Sequence, residues 1–170
     1  MTPTEYEEKS RQLLTALRNA AATPWVQVFG DDPAWATRAG ATLTSLLQHR
    51  DPVYVACRPG GSDDEGEVVV YTDDTLFRMH ISAGDPDGRP EMTTSVVPRS
   101  SLATMEVRQS SSEPLNAVSP GYWPERQQLV LHYPGLPSAL VLPFGESSRT
   151  RRAVLDLIPA LVGDLGSGRP

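Results

Sequence analysis

The feature that most constrains this chain is a change of hydrophobic period at residue 52. Up to that point, apolar residues recur at helical spacing. Beyond it, seven short runs follow: VYVACR (53–58), EVVVYT (67–72), TLFRMHIS (75–82), MTTSVV (92–97), LATMEVR (102–108), QQLVLHY (127–133) and ALVLPF (139–144). They are β-branched or aromatic and often alternate, so they predict strands. Turn residues separate them, among them PGGSDDEG, DD, AGDPDGRP and PGLPS. Links this short favour antiparallel pairing. In TLFRMHIS, Phe77, Met79 and Ile81 point one way, and Leu76, Arg78 and His80 the other. One wet face is common in antiparallel sheets, so the first set is expected in the core and Arg78 and His80 on the surface.

Two helices precede the strands. Thr4 and Glu7 have capping-box spacing, and Leu13, Leu14, Leu17 and Ala21 form a stripe that runs to about Ala22, before Pro24. Asp32 followed by Pro33 reads as the start of a second helix. That helix turns Ala36, Ala39, Leu43, Leu46 and Leu47 inward and ends near Arg50, ahead of Asp51-Pro52. After the last strand, Ser147 or Ser148 can cap a helix with Val154, Leu155, Ile158, Leu161, Val162 and Leu165 on its apolar face. Pro159 is expected to kink or divide that helix. The expected organisation is a helical element over 1–51, a strand-rich domain with its helix over 52–166, and a frayed tail over 167–170.

Composition narrows the function classes. Net charge is −6, and residues 51–75 hold seven acids against Arg58 alone. Counterion release from phosphates needs a basic patch, so nucleic acid is disfavoured as a partner, and anionic membrane for the same reason. Cys57 is the single cysteine and lies in an apolar strand, so it reads as a small buried hydrophobe. The chain begins acidic and polar, without a secretory signal pattern or a membrane-length apolar run, which predicts a cytoplasmic protein. The Asp63-Asp64-Glu65 run lacks EF-hand spacing and reads as a solvated turn. His49, His80 and His132 lack metal-motif spacing, and no catalytic or nucleotide-binding motif is present. No metal, cofactor or catalytic residue is therefore expected.

Several passages carry a family resemblance. EVVVYTDDTLFRM resembles the second and third strands of bacterial pleckstrin-homology-like (PH-like) domains. VVPRSSLATMEVR resembles their passage between strands four and five. QQLVLHYPGLPSALVLPF resembles the closing hairpin, and RRAVLDLIPALV the capping helix. The resemblance spans about residues 52–165. It implies an α+β fold: a seven-stranded antiparallel bent barrel capped by the C-terminal helix, here preceded by two helices. It also implies a binding domain, commonly for protein or lipid headgroups. Headgroup-binding members place bases on the first hairpin loop, where this chain has RPGGSDDEGE. Four carboxylates there oppose phosphoinositide binding and leave a protein partner as the expectation.

The candidate contacts are Tyr122 and Trp123, on the long loop near residues 110–126, and the basic cluster Arg149, Arg151 and Arg152. Arginines in a first helical turn oppose the helix dipole, so an acidic partner would relieve them. They could equally pair with the acidic hairpin of another copy, giving a homo-oligomer. The expected function is a non-catalytic protein-interaction or scaffold module of a bacterial protein. A dedicated binder, such as a secretion chaperone or toxin-immunity protein, is the alternative, and gene neighbours would separate the two. An enzyme would need a site around Arg78, His80 and His132.

Overall fold

The computed structural model describes residues 2–21, 34–60, 65–82, 91–109, 127–144 and 148–167. Among the described residues, two helices, α1 (Pro3–Ala20) and α2 (Ala34–Leu47), lead into seven strands. These are β1 (Tyr54–Pro59), β2 (Gly66–Tyr71), β3 (Thr75–Ser82), β4 (Glu91–Pro98), β5 (Thr104–Gln109), β6 (Gln127–His132) and β7 (Leu140–Leu142). A 3₁₀ turn (Arg99–Ser101) separates β4 from β5, and α3 (Ser148–Ser167) follows β7. All ladders are antiparallel, in a four-stranded sheet ordered β1-β2-β3-β4 and a three-stranded sheet ordered β5-β6-β7. The fold class is α+β, with two sheets and no ladder between them among the described residues.

The larger sheet is covered on both faces. Register places Tyr54, Ala56, Val69, Tyr71, Leu76 and Val97 on one face. They share a core with Leu129, Leu131, Leu140 and Leu142 of the smaller sheet and with Val154, Leu157 and Leu161 of α3. On the opposite face, Cys57, Val68, Val70, Phe77, Met79 and Ile81 pack with Leu13, Leu17, Trp35, Ala36, Ala39, Leu43 and Leu47 of the leading helices. The expectation of one wet face is thus corrected. Phe77, Met79 and Ile81 are buried under α1 and α2, whereas Leu76, on the Arg78/His80 face, belongs to the core between the sheets. β2 explains why both faces need cover: it is buried along its whole length, and its three consecutive valines send apolar side chains to both sides.

Helix boundaries also move, for local reasons. The capping box uses Thr2 and Glu5, two residues before the expected pair. Glu5 N donates to Thr2 Oγ1 at 3.3 Å and Thr2 N donates to Glu5 Oε2 at 2.6 Å. Pro3 decides between the two boxes, because its fixed φ suits the first helical position that Thr2 as cap creates. α2 ends at Leu47 because Gln48 takes φ 51°, a left-handed terminus three residues before Asp51. Its proposed cap, Asp32-Pro33, lies outside the described residues. Leu46, expected inward, is 36% exposed, while Trp35 is fully buried. Trp35 packs where Gly66 opens β2: a Cβ at 66 would lie 2.5 Å from the indole Cδ2. α3 runs unbroken through Pro159, which sits on its exposed face, so the expected division does not occur. It also takes in Ser167, the first residue assigned to the tail.

Candidate functional site

Arg78 and His80 share a strand face, but that face ends in a structural ion cluster. Glu67 on β2 is only 4% exposed and lies between Arg58 of β1 and Arg78 of β3. Glu67 sits directly opposite Arg58 and diagonally from Arg78, within reach of long side chains. Arg78 Nε donates to Glu67 Oε1 at 2.8 Å, and Arg78 Nη1 donates to Ser138 O at 2.8 Å and to Ser138 Oγ at 3.0 Å. Since Ser138 lies between β6 and β7, the arginine ties the two sheets together. Arg58 pairs with the same carboxylate and lies over the Phe144 ring, 5.0 Å from its centroid. Every charge in the cluster is thereby used in holding strands and a turn in place.

A second ion pair fastens α3. Arg99 is 6% exposed. Its Nη1 donates to Thr72 O at 2.9 Å and Asp73 O at 3.2 Å, and its Nε donates to Asp164 Oδ2 at 3.0 Å. One guanidinium thus joins the β2–β3 turn to the last turns of the C-terminal helix. Three buried tyrosines belong to the core between the sheets. Tyr133 Oη donates to Tyr71 Oη at 3.4 Å, and Tyr54 meets Tyr71 edge-on at a centroid distance of 6.0 Å. Burial raises the pKa of all three, pushing Tyr133 up to about 12.

The other sequence candidates separate. His132 is on β6 of the smaller sheet, and its Nε2 lies 3.5 Å from Glu106 Oε1 without hydrogen-bond geometry. Glu106 itself is held by Arg108, whose hydrogen bond lowers the carboxyl pKa, with His132 a lesser cause. His80 is exposed on β3, and no described contact joins it to Arg78 or His132. Among the described residues, no group of three His, Cys, Asp or Glu side chains is arranged to hold a metal. Cys57 is buried and its thiol donates to Leu17 O at 3.1 Å; burial holds its pKa well above the usual thiol range. Tyr122, Trp123 and the acidic run Asp63-Asp64 lie outside the described residues. Arg149, Arg151 and Arg152 fall in the first turn of α3; Arg152 is exposed and Arg151 half-buried.

The concave surface that sequence did not reveal lies along β1. A cavity of about 310 Å³ is lined by Lys9, Gln12, Leu13 and Ala16 of α1, by Thr44 and Leu47 of α2, and by residues 50–55. A second, of about 290 Å³, is lined by Ala16, Asn19 and Ala20 of α1, Tyr54 and Val55 of β1, and Thr150 and Ala153 of α3. They share Ala16, Tyr54 and Val55 as lining. Four sequence-distant elements form these walls, which is why no linear motif marks them.

Four strands, then three, then a helix over their shared core form an α+β arrangement compatible with a PH-like fold, with no closed barrel among the described residues. Among solved structures, the chain is similar to a DUF1696 family protein with a pleckstrin-homology domain from Shewanella loihica. Identity is 17%, the TM-score is 0.35, and the match covers 58% of this chain and 70% of that one. No family model matches the sequence. No curated protein matches it either. No helix among the described residues is long and apolar enough to cross a membrane.

Proposed function

We propose that this chain is a non-catalytic protein-interaction module whose two sheets and C-terminal helix work as a PH-like bent barrel, a rigid platform. The observation that carries this reading is how the buried charges are used. Glu67 and Arg99, the buried charged residues among those described, and their partners Arg78 and Asp164 are spent joining strands, turns and a helix. Arg151 and Arg152 have no ion pair among the described residues, and they sit where a helix dipole is already positive. An acidic partner surface would relieve that repulsion. Exposed charges of this kind mainly set association rate and salt dependence.

The test is affinity capture from the native cell, followed by binding of the purified candidate to wild type and to the double variant Arg151→Glu/Arg152→Glu. The module reading expects weaker binding by the variant, a difference that shrinks as salt rises, and an unchanged melting temperature. Equal affinity would remove the basic cluster from the interface. Turnover of a small molecule by the purified chain would contradict the non-catalytic reading.

A further inference from the structure

We propose that β4 is a self-pairing edge, through which two copies of this chain join antiparallel about a two-fold axis at Thr94. β4 closes one side of the four-stranded sheet, and no described strand pairs with its outer side. An open edge is a template for another strand, so native edges are shortened, charged or covered. The other edges among the described residues follow that rule. β1 carries a parallel bridge from Ala21, β7 has three residues, and β5 presents Glu106 and Arg108. β4 does not follow it. It has eight residues, and its one charge, Glu91, and its proline, Pro98, both sit at its ends.

The residue pattern of β4 selects a second copy as the occupant. A two-fold axis normal to a sheet sets one residue against its own copy, and the pairs on either side follow. Centred on Thr94, the pairing sets Met92 against Val96 of the second copy, Thr93 against Ser95, and Thr94 against Thr94. Apolar meets apolar, and Thr–Thr and Thr–Ser pairs are favourable across antiparallel strands. Glu91 falls opposite Val97 and meets no like charge. An axis at Ser95 would set Val96 against Thr94 and Met92 against Pro98, and the match is lost. The apolar residues also lack cover. Val96, Thr94 and Met92 lie opposite Phe77, Met79 and Ile81, on the face that α1 and α2 cover. That cover stops short of β4: Val96 is 50% exposed and Met92 36%. Val97, on the other face, belongs to the core between the sheets and so fixes which way the strand faces. In the pair, the two Met92 and two Val96 side chains gather on one face around Thr94. This contact uses a different surface from the basic cluster of α3, so its failure would leave the protein-interaction reading untouched.

The experiment is sedimentation equilibrium of the full chain over a concentration series. The expected result is a reversible rise in mass toward twice 18.5 kDa and no further. Thr94→Lys and Thr94→Asp should each weaken self-association by roughly tenfold or more, because each sets like charges face to face. An equimolar mixture of the two variants should restore the dimer, because opposite charges then meet at the axis. Far-UV circular dichroism and thermal unfolding establish that both variants are folded. If either is not, Thr94→Cys tests the same contact with a smaller change. Mild oxidation should then link the copies, since directly opposed residues have Cα atoms about 4.5–5.5 Å apart, within disulfide reach, and Cys57 is buried. Wild type that stays at the mass of one chain at its highest soluble concentration would overturn the proposal and leave the edge to a strand from another protein. So would growth beyond a dimer, a dimer indifferent to charge at residue 94, a mixture no more associated than its parts, or a Thr94→Cys variant that does not cross-link.

Discussion

Leu17→Ala separates an integral helical layer from an appended one. Leu17 is fully buried among Trp35, Val68, Met79 and other members of the outer cluster, with its side chain on the sheet-facing side of α1. Its carbonyl accepts from Ala21 N at 3.0 Å and from the Cys57 thiol at 3.1 Å, and alanine leaves both acceptor contacts in place. The substitution therefore reports side-chain packing. Removing a fully buried leucine side chain costs about 3–5 kcal/mol in transfer and cavity terms. For a chain of this length, 3 kcal/mol lowers Tm by about 6–12 °C. The assay is thermal unfolding followed both by far-UV circular dichroism and by near-UV signal from the buried tyrosines between the sheets. A single cooperative transition shifted by that amount in both probes is expected. A shift below about 2 °C, or early loss of helix with the tyrosine signal unmoved, would refute the integral layer.

Gly66→Ala should destabilise by about 1–3 kcal/mol through overpacking, because its Cβ would meet the Trp35 ring at 2.5–2.9 Å; urea unfolding monitored by tryptophan fluorescence checks it. Stability should also fall as pH rises above about 8.5. Cys57, Tyr54, Tyr71 and Tyr133 all have raised folded pKa values, so the folded chain keeps protons that the unfolded chain releases, and stability present below the unfolded values is lost above them. Urea midpoints at pH 7.5 and 10 measure this, and Tyr133→Phe should reduce the difference. In the same buffers a disulfide reagent should leave Cys57 unmodified until the chain unfolds.

The strands were legible in sequence because their signals are local. β3 matches its expected span at both ends, and β1, β2, β4 and β6 agree within a residue or so. Turn residues and β-branched runs set those limits without help from the rest of the chain. What was not legible depends on packing between distant elements. Alternation in TLFRMHIS separates two faces but cannot say that both are covered, since α1 and α2 supply the second cover. The role of Glu67 was hidden in the same way. In sequence it belongs to an acidic run, and only the β1-β2-β3 register brings Arg58 and Arg78 to its sides. Arg99 lies in a passage read for its turn, while its partner Asp164 is 65 residues away. The Thr2 and Thr4 boxes have the same spacing, and only Pro3 distinguishes them.

The most direct test of the central claim, that the polar face of β3 is a structural latch and not a working site, is a double-mutant cycle on Glu67 and Arg78. Glu67→Gln, Arg78→Met and the double variant are unfolded in urea at pH 7. A latch gives a loss of about 1–3 kcal/mol for Arg78→Met, because the buried carboxylate and the Ser138 oxygens lose their donor, and a coupling energy above about 0.5 kcal/mol. Stability unchanged by Arg78→Met, with the two substitutions additive, would contradict it and return Arg78 to the candidates for a working site.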